Sequence, residues 1–398
     1  MELINDALDE SRPISPKLYQ LYSETLRKAV GIVGVSQDLQ DQWLANVSRF
    51  AAYKAARATD MIREAVAAND EKRDGTGPLH AHARYLAAEA NTARTRARTG
   101  KQWQQFNQDD HARLFPNIRW IASRSATPRE AHMPFYGRVW AKDDPFWQHN
   151  QPGTLWNCKC DWEETDDPVT TGNPQKNIEV PGLKGNPAET GQIFSEDAPY
   201  FSRCPNKEIV EPIAKSIVEF ERLRDTKGYK EMEFDWRTGA HKAVHKKHED
   251  HDHDNEQKFF ADKVSATQLE KECINEAYRM GNRAILLEEG VIGSDGKKMS
   301  CLDMRLNGRV MDIRTITENG ENTIRNGLNA KNKQLRKYNH THEEKANTVC
   351  LYFRDATMYS EQNVRNGIER HKECAPATQI QHVICIVKGF DNLIEFEL

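Results

Sequence analysis

The sequence predicts a multi-domain α+β protein with a helical N-terminal region, a small irregular Trp/Cys-rich module and a C-terminal α/β domain. The chain has 398 residues, more than one ordinary domain requires. Alanine and charged residues dominate its beginning, whereas Trp, Pro, Gly, His and Cys accumulate after Phe115. Helical and strand-like periodicities alternate towards the C-terminus. These changes place the predicted domains at residues 1–110, 111–204 and 255–398, with a helix and a charged His-rich linker at 205–254.

Composition limits the possible function classes. Hydrophobic residues make up 38% and charged residues 29% of the chain, which is enough apolar material for real cores. A net charge of −4 excludes a globally basic nucleic-acid coat, so any nucleic-acid contact must be local. The N-terminus does not resemble a secretory signal, and no apolar run reaches the ~18 residues of a membrane helix. The eight cysteines are mostly isolated, which favours reduced thiols in a protein made in cytoplasm.

The N-terminal region is predicted to consist of helices. Ser15 followed by Pro16 is a good helix start, and Ser36 can cap a second helix. The segment 74–78, Asp-Gly-Thr-Gly-Pro, is expected to separate that helix from another between His80 and about Gly100. Such alanine-rich, weakly hydrophobic helices suit packing against neighbours in an assembly, and a plain helical domain is the alternative.

The central module carries the most specific sequence pattern. Its informative segments are 119–124 (RWIASR), 129–132 (REAH), 137–140 (GRVW), 144–147 (DPFW) and 156–160 (WNCKC). In order and spacing this string resembles the phage Mu F-like head morphogenesis family, with Lys159 where arginine is usual. The resemblance implies a minor head protein that assembles with portal and capsid proteins. It also implies synthesis in the bacterial host cytoplasm and a final location in the virion head.

Two interpretations of the module's Cys and His residues stay open. Cys158 and Cys160, together with His132 or His149, could bind a structural zinc ion, although Cys-x-Cys is tighter than the usual knuckle spacing. The favoured interpretation is packing, with the thiols lying against a core of Trp120, Trp140, Trp147 and Trp156. A catalytic cysteine is least favoured, because no activating base is evident.

The C-terminal domain is predicted to alternate helices and strands. A helix at 270–281 precedes a buried strand at 283–287, and Asn307-Gly308 is a hairpin turn between strands 301–306 and 309–314. A further helix, strand, helix and two strands follow at 322–336, 348–353, 362–371, 382–387 and 392–396. Asp312 and Arg314 point to the same face of their strand, because side chains alternate along a strand.

The helix, hairpin, helix and strand arrangement resembles the core of PD-(D/E)xK nucleases. More closely, residues 255–398 resemble the C-terminal tRNA nuclease domain of contact-dependent inhibition toxins (CdiA type). The resemblance implies that Glu272, Asp303 and Asp312 bind Mg²⁺ or Mn²⁺, whose preferred ligands are hard oxygens. Arg314 stands in the position of the family's lysine and would assist the attacking water. An immunity protein is an implied partner.

Charge indicates a local nucleic-acid face on the helix after the hairpin. Its basic residues are predicted to contact phosphates of tRNA or other nucleic acid, and they are Arg325, Lys331, Lys333, Arg336 and Lys337. A solvated basic helix face is the alternative. The His-rich run at His241, His245, His248, His251 and His253 is interpreted as a flexible charged linker rather than a metal site.

Three functions therefore remain open at the level of sequence. The first is a minor head protein fused to a metal-dependent endoribonuclease that acts on tRNA. The second is a purely structural virion protein whose C-terminal domain is catalytically inactive. The third is a nuclease that acts on DNA.

Overall fold

The computed structural model describes residues 1–32, 34–68, 75–249, 264–293, 296 and 298–398. The chain divides into two compact units, Met1–Val218 and Glu219–Leu398. Helices precede a small antiparallel sheet in the first unit, and a mixed sheet with helices forms the second. The predicted α+β class is confirmed. None of the described helices has the length and apolar character that crossing a membrane requires.

The first unit begins with the predicted helices. Ser15 and Ser36 both act as N-caps, since their hydroxyls accept from the amides of Leu18 and Leu39. The third long helix begins at Thr76, earlier than predicted, because a proline is tolerated in a first helical turn. The helices are α1 (Glu2–Ala7), α2 (Pro16–Val30), α3 (Gln37–Ala67), α4 (Thr76–Phe106), α5 (Asp109–Leu114), α6 (Pro187–Thr190), α7 (Pro199–Ser202) and α8 (Lys207–Thr226), which crosses the boundary between the units.

The Trp/Cys-rich module is built on a three-stranded antiparallel sheet of β1 (Asn117–Ile121), β2 (Val139–Ala141) and β3 (Asp161–Thr165), with β1 in the centre. Trp120, Trp140 and Trp147 lie in its core as expected, together with Trp162. Trp156 does not join this core and instead stacks on Phe194, at a centroid distance of 5.7 Å. The module and the predicted helical region belong to the same compact unit.

The second unit contains one eight-stranded sheet in the order β11-β10-β9-β8-β7-β6-β5-β4. Parallel pairs are β5 with β6, β8 with β9, and β9 with β10; the remaining neighbours are antiparallel. The strands are β4 (Tyr229–Phe234), β5 (His241–His245), β6 (Arg283–Leu286), β7 (Met304–Leu306), β8 (Arg309–Ile316), β9 (Thr348–Phe353), β10 (His382–Val387) and β11 (Ile394–Glu397). The helices are α9 (Ala266–Arg279), α10 (Glu321–Thr341) and α11 (Glu361–Cys374).

The helix predicted within residues 205–254 is present as α8, but the structure does not support the flexible linker predicted for the His-rich run. That run begins as strand β5, which pairs in parallel with β6 and is preceded by strand β4. His241 and His248 are fully buried despite the surrounding charges. The sequence did not indicate strand β5, because the buried Ala243 and Val244 lie between the polar Lys242 and His245, which remain partly exposed. His251, His253 and the predicted boundary at 255 lie outside the described residues.

Candidate functional site

The hairpin of β7 and β8 brings two aspartates together. Met304 pairs with Met311 across the hairpin, so the same antiparallel register sets Asp303 opposite Asp312. The turn at Asn307-Gly308 fixes that register, and both residues adopt the positive φ angles that such a turn requires. The amide of Ile313 donates to Oδ2 of Asp303 at 2.7 Å and orients this carboxylate. The predicted pair therefore forms at the start of the hairpin.

Helix α10 adds a cation to the pair. The ammonium group of Lys331 lies 3.1 Å from Oδ1 of Asp312 and 3.7 Å from Oδ2 of Asp303. Asp312 is wholly buried, and the side chains of Asp303 and Lys331 are only 13% and 14% exposed. The three residues thus form a nearly dry ion cluster, where electrostatic interactions are stronger than at a surface.

The pKa values of the two buried acids are shifted in opposite directions. Burial and the neighbouring Asp303 carboxylate raise the pKa of Asp312 well above its usual range. Burial also opposes ionisation of Asp303, but the Lys331 ammonium and the Ile313 amide hold the pKa of Asp303 below its usual value. Two carboxylates with one ammonium retain an excess negative charge, which either a proton or a metal ion can neutralise.

The cluster opens into a cavity of about 540 Å³. Acidic side chains from Glu270, Glu289 and Asp303 line one part of it, and Lys331 contacts its interior. Lys298 and Lys337 also line the cavity and are exposed. An anionic centre beside exposed lysines is suited to a metal ion together with a phosphate-bearing ligand.

The structure does not bring Glu272 to this site. Its carboxylate makes a bidentate ion pair with Arg354, at 2.7 and 3.0 Å. Glu270, two residues earlier on α9, lines the cavity instead. Residues two apart on a helix point about 200° away from each other, so both acids cannot face one site. The sequence prediction named only Glu272, whereas the packing of the buried face of α9, at Cys273 and Ile274, turns Glu270 towards the cavity.

Arg314 and three of the five basic helix residues are not among the residues that line the cavity. Arg314 is exposed and its aliphatic stem runs against Gly327, where an added Cβ would approach its Cγ to 3.1 Å. The ammonium group that pairs with both aspartates is that of Lys331. Of the predicted phosphate-binding residues, Lys331 and Lys337 line the cavity. Arg325, Lys333 and Arg336 stand roughly opposite to Lys331 on α10, at about 100° per residue.

Replacing Glu272 with glutamine is expected to leave any hydrolytic activity within about twofold of wild type, because this side chain does not reach the cavity. The loss of its charge weakens the pair with Arg354, which is worth about 1 kcal/mol for a partly exposed ion pair. Parallel activity assays and urea denaturation of both proteins check the two expectations. A loss of activity greater than tenfold at unchanged stability would show that Glu272 does act at the reaction centre.

A second polar group, missed by the sequence analysis, adjoins the cavity. His248, Glu270 and Glu289 are buried, and one ligand atom from each lies within 4.8 Å of the others. Nε2 of His248 lies 2.9 Å from Oε2 of Glu270, and its Nδ1 lies 3.3 Å from Oε1 of Glu289. This group could hold a metal ion. No sequence spacing revealed it, because its members come from three separate segments.

The first unit contains the other group of this kind among the described residues. His132, Cys158 and Cys160 are all buried, and Nδ1 of His132 lies 3.4 Å from both sulfur atoms. Of the histidines considered from sequence, the structure selects His132; His149 is half-exposed and paired with Glu179 at 3.1 Å. Two thiols and an imidazole could hold a metal ion.

Comparison with known proteins gives no relative from which a function could be transferred. The chain matches no family model, no curated protein and no solved structure.

Proposed function

We propose that the second unit is a metal-dependent nuclease whose reaction centre is the Asp303–Asp312 pair. The observation that carries this proposal is the convergence of both carboxylates with Lys331 at the cavity. The donor set fits a hard divalent ion such as Mg²⁺ or Mn²⁺, because both acids offer carboxylate oxygens. The buried carboxylate of Asp312 has no hydrogen-bond donor of good geometry among the described residues, although it lies beside Lys331.

The side chains have separate tasks in this proposal. Asp303, held by the Ile313 amide, and Asp312 would bind the ion, which would activate water and neutralise phosphate charge when bound. Lys331 stabilises negative charge at the same place and, unlike the exposed Arg314, is fixed by two carboxylates. Lys298 and Lys337 attract the phosphate backbone to the opening.

The substrate class we propose is RNA, with tRNA as the preferred target. The support is the resemblance of residues 255–398 to the tRNA nuclease domain of contact-dependent inhibition toxins. An immunity protein that covers the cavity is the corresponding partner. A DNA nuclease and a catalytically inactive binding domain are the competing functions.

Digestion assays with the full-length chain distinguish these functions. The protein is incubated with tRNA, single-stranded DNA and duplex DNA, each in Mg²⁺, Mn²⁺ or EDTA. The proposal predicts tRNA cleavage with either ion and none in EDTA. Cleavage of DNA alone would identify the DNA nuclease, and intact substrates throughout would identify the inactive domain. The full chain is used because a fragment starting at 255 would lack strands β4 and β5 of the sheet.

We further propose that the first unit is a phage minor head protein, on the resemblance of its Trp/Cys-rich module to the Mu F-like family. Portal and capsid proteins are then its partners, and the virion head is its final location. Long alanine-lined helices such as α3 and α4 suit such an assembly role. Purified particles probed with an antibody against the chain test this location, and its absence from heads would contradict it.

A structural zinc ion fits the module, because His132, Cys158 and Cys160 supply the nitrogen and sulfur ligands that zinc prefers. Elemental analysis of the purified full-length protein is expected to find about one zinc ion per chain. His132→Gln is expected to lose most of it, whereas His149→Gln serves as the matched control and should retain it. Equal zinc contents in both variants, or none in the wild type, would contradict this assignment.

A further inference from the structure

A group of ligating side chains lies in the wall of the cavity and has no role in the proposed hydrolysis. It comprises His248, which is wholly buried, and Glu270 and Glu289, which are 8% and 6% exposed. Glu270 and Glu289 line the cavity, so an ion entering the cavity can reach the group. The residues follow β5, lie on α9 and follow β6, respectively, and the folded sheet brings these three segments together.

The hydrogen bonds of His248 determine which ring nitrogen carries a proton. Its Nδ1 lies 2.9 Å from the carbonyl oxygen of Leu287. Because a carbonyl oxygen can only accept, Nδ1 must donate. In the neutral ring the lone pair is therefore on Nε2, which lies 2.9 Å from Oε2 of Glu270. A lone pair and a carboxylate oxygen repel at this distance, so a cation, either a proton or a metal ion, must act between them.

The arrangement matches that of a metal-ligating histidine. Such histidines commonly donate their other N–H to a carbonyl or carboxylate, which orients the ring. Two metal–ligand bonds of about 2.1 Å at a right angle separate the ligand atoms by about 3 Å. The separation of Nε2 and Oε2 is 2.9 Å. Oε1 of Glu289 lies 3.3 Å from Nδ1 of the same ring, and a carboxylate oxygen of Glu289 belongs to the same 4.8 Å group, so Glu289 would be the third ligand.

We propose that His248, Glu270 and Glu289 form a second metal site that binds a transition-metal ion, with Mn²⁺ preferred over Mg²⁺. The preference follows from the imidazole ligand, since imidazole nitrogen suits transition metals whereas Mg²⁺ favours oxygen ligands and retains its waters. The site is distinct from the Asp303–Asp312 pair and can bind its ion whether or not the protein hydrolyses nucleic acid.

Nitrogen coupling in the pulsed EPR spectrum of bound Mn²⁺ tests this site directly. The full-length protein with stoichiometric Mn²⁺ is expected to show coupling to an imidazole nitrogen. His248→Gln should abolish the coupling, and Glu289→Gln should weaken Mn²⁺ binding at least about tenfold. His132→Gln and Asp312→Asn should retain the coupling, because His132 and Asp312 are not ligands of this site. Circular dichroism confirms that each variant is folded.

The result that overturns the site is a wild-type spectrum without nitrogen coupling, or coupling that persists in His248→Gln. An imidazolium ion between the two glutamates would give the first of these results. If Asp312→Asn abolishes hydrolysis while nitrogen coupling is absent, only the second metal site is wrong. If nitrogen coupling is present but no nucleic acid is cleaved, the proposed nuclease function is wrong and the metal site stands.

Discussion

Asp312→Asn is expected to reduce tRNA cleavage by more than about 100-fold, beyond the effect of removing an outer-sphere partner of a metal ion. Asparagine keeps the shape of the side chain but removes the charge that would bind the divalent ion opposite Asp303. Initial rates of tRNA cleavage in saturating Mn²⁺ measure the effect. Glu272→Gln is the matched control, because it neutralises a carboxylate of the same unit that lies outside the cavity.

The same substitution should not destabilise the metal-free protein. The pKa of Asp312 is raised in the folded chain, so the folded state binds more protons than the unfolded state between the ordinary and the raised value. Metal-free stability of the wild type should therefore fall as pH rises through this window. Asp312→Asn removes that dependence and should melt at least as high as wild type in EDTA at neutral pH. A sharp loss of stability together with activity would instead assign Asp312 a structural role.

Lys331→Met is expected to lower the free energy of unfolding by about 3–5 kcal/mol in EDTA, because it leaves two buried carboxylates without their cation. Methionine preserves most of the apolar stem, so the loss reports mainly on charge. The loss should shrink at acidic pH, where protonation of Asp312 relieves the repulsion. Added Mn²⁺ should raise the melting temperature of this variant more than that of wild type, since the ion replaces the missing positive charge.

Lys333→Met is the matched control for this experiment. Lys333 lies on the same helix, is exposed, and is placed about 200° from Lys331. Its replacement should change the free energy of unfolding by less than about 0.5 kcal/mol. Equal effects of the two substitutions would show that helix α10 itself, and not the ion cluster, is sensitive to the loss of lysine.

The hairpin was predictable because its determinant is local. The Asn307-Gly308 turn sets the register of β7 against β8, and that register brings Asp303, just before β7, opposite Asp312. The prediction placed Glu272 at the site, whereas the packing of α9 turns Glu270 to the cavity and Glu272 to Arg354. Lys331 was expected on a phosphate-binding face, yet the structure turns it inward to the aspartates.

The sequence did not predict contacts between segments that are distant along the chain. His248 meets Glu270 and Glu289 only because β5 joins the sheet beside β6, and charged neighbours made that stretch look like a linker. In the first unit, Cys158 and Cys160 were recognised from their spacing, but the choice of His132 over His149 required the folded core around Trp120. Local patterns thus identified candidate ligands, and the tertiary fold selected among them.

Anomalous scattering from crystals soaked in Mn²⁺ locates any ion bound at the hairpin. If the aspartate pair is a divalent-metal site, a manganese peak is expected within bonding distance, about 2.0–2.3 Å, of carboxylate oxygens from both Asp303 and Asp312. The peak should disappear in Asp312→Asn and remain in Glu272→Gln. Wild-type crystals that hold millimolar Mn²⁺ in their solvent but show no peak between the two aspartates would contradict the claim that this pair is a divalent-metal site.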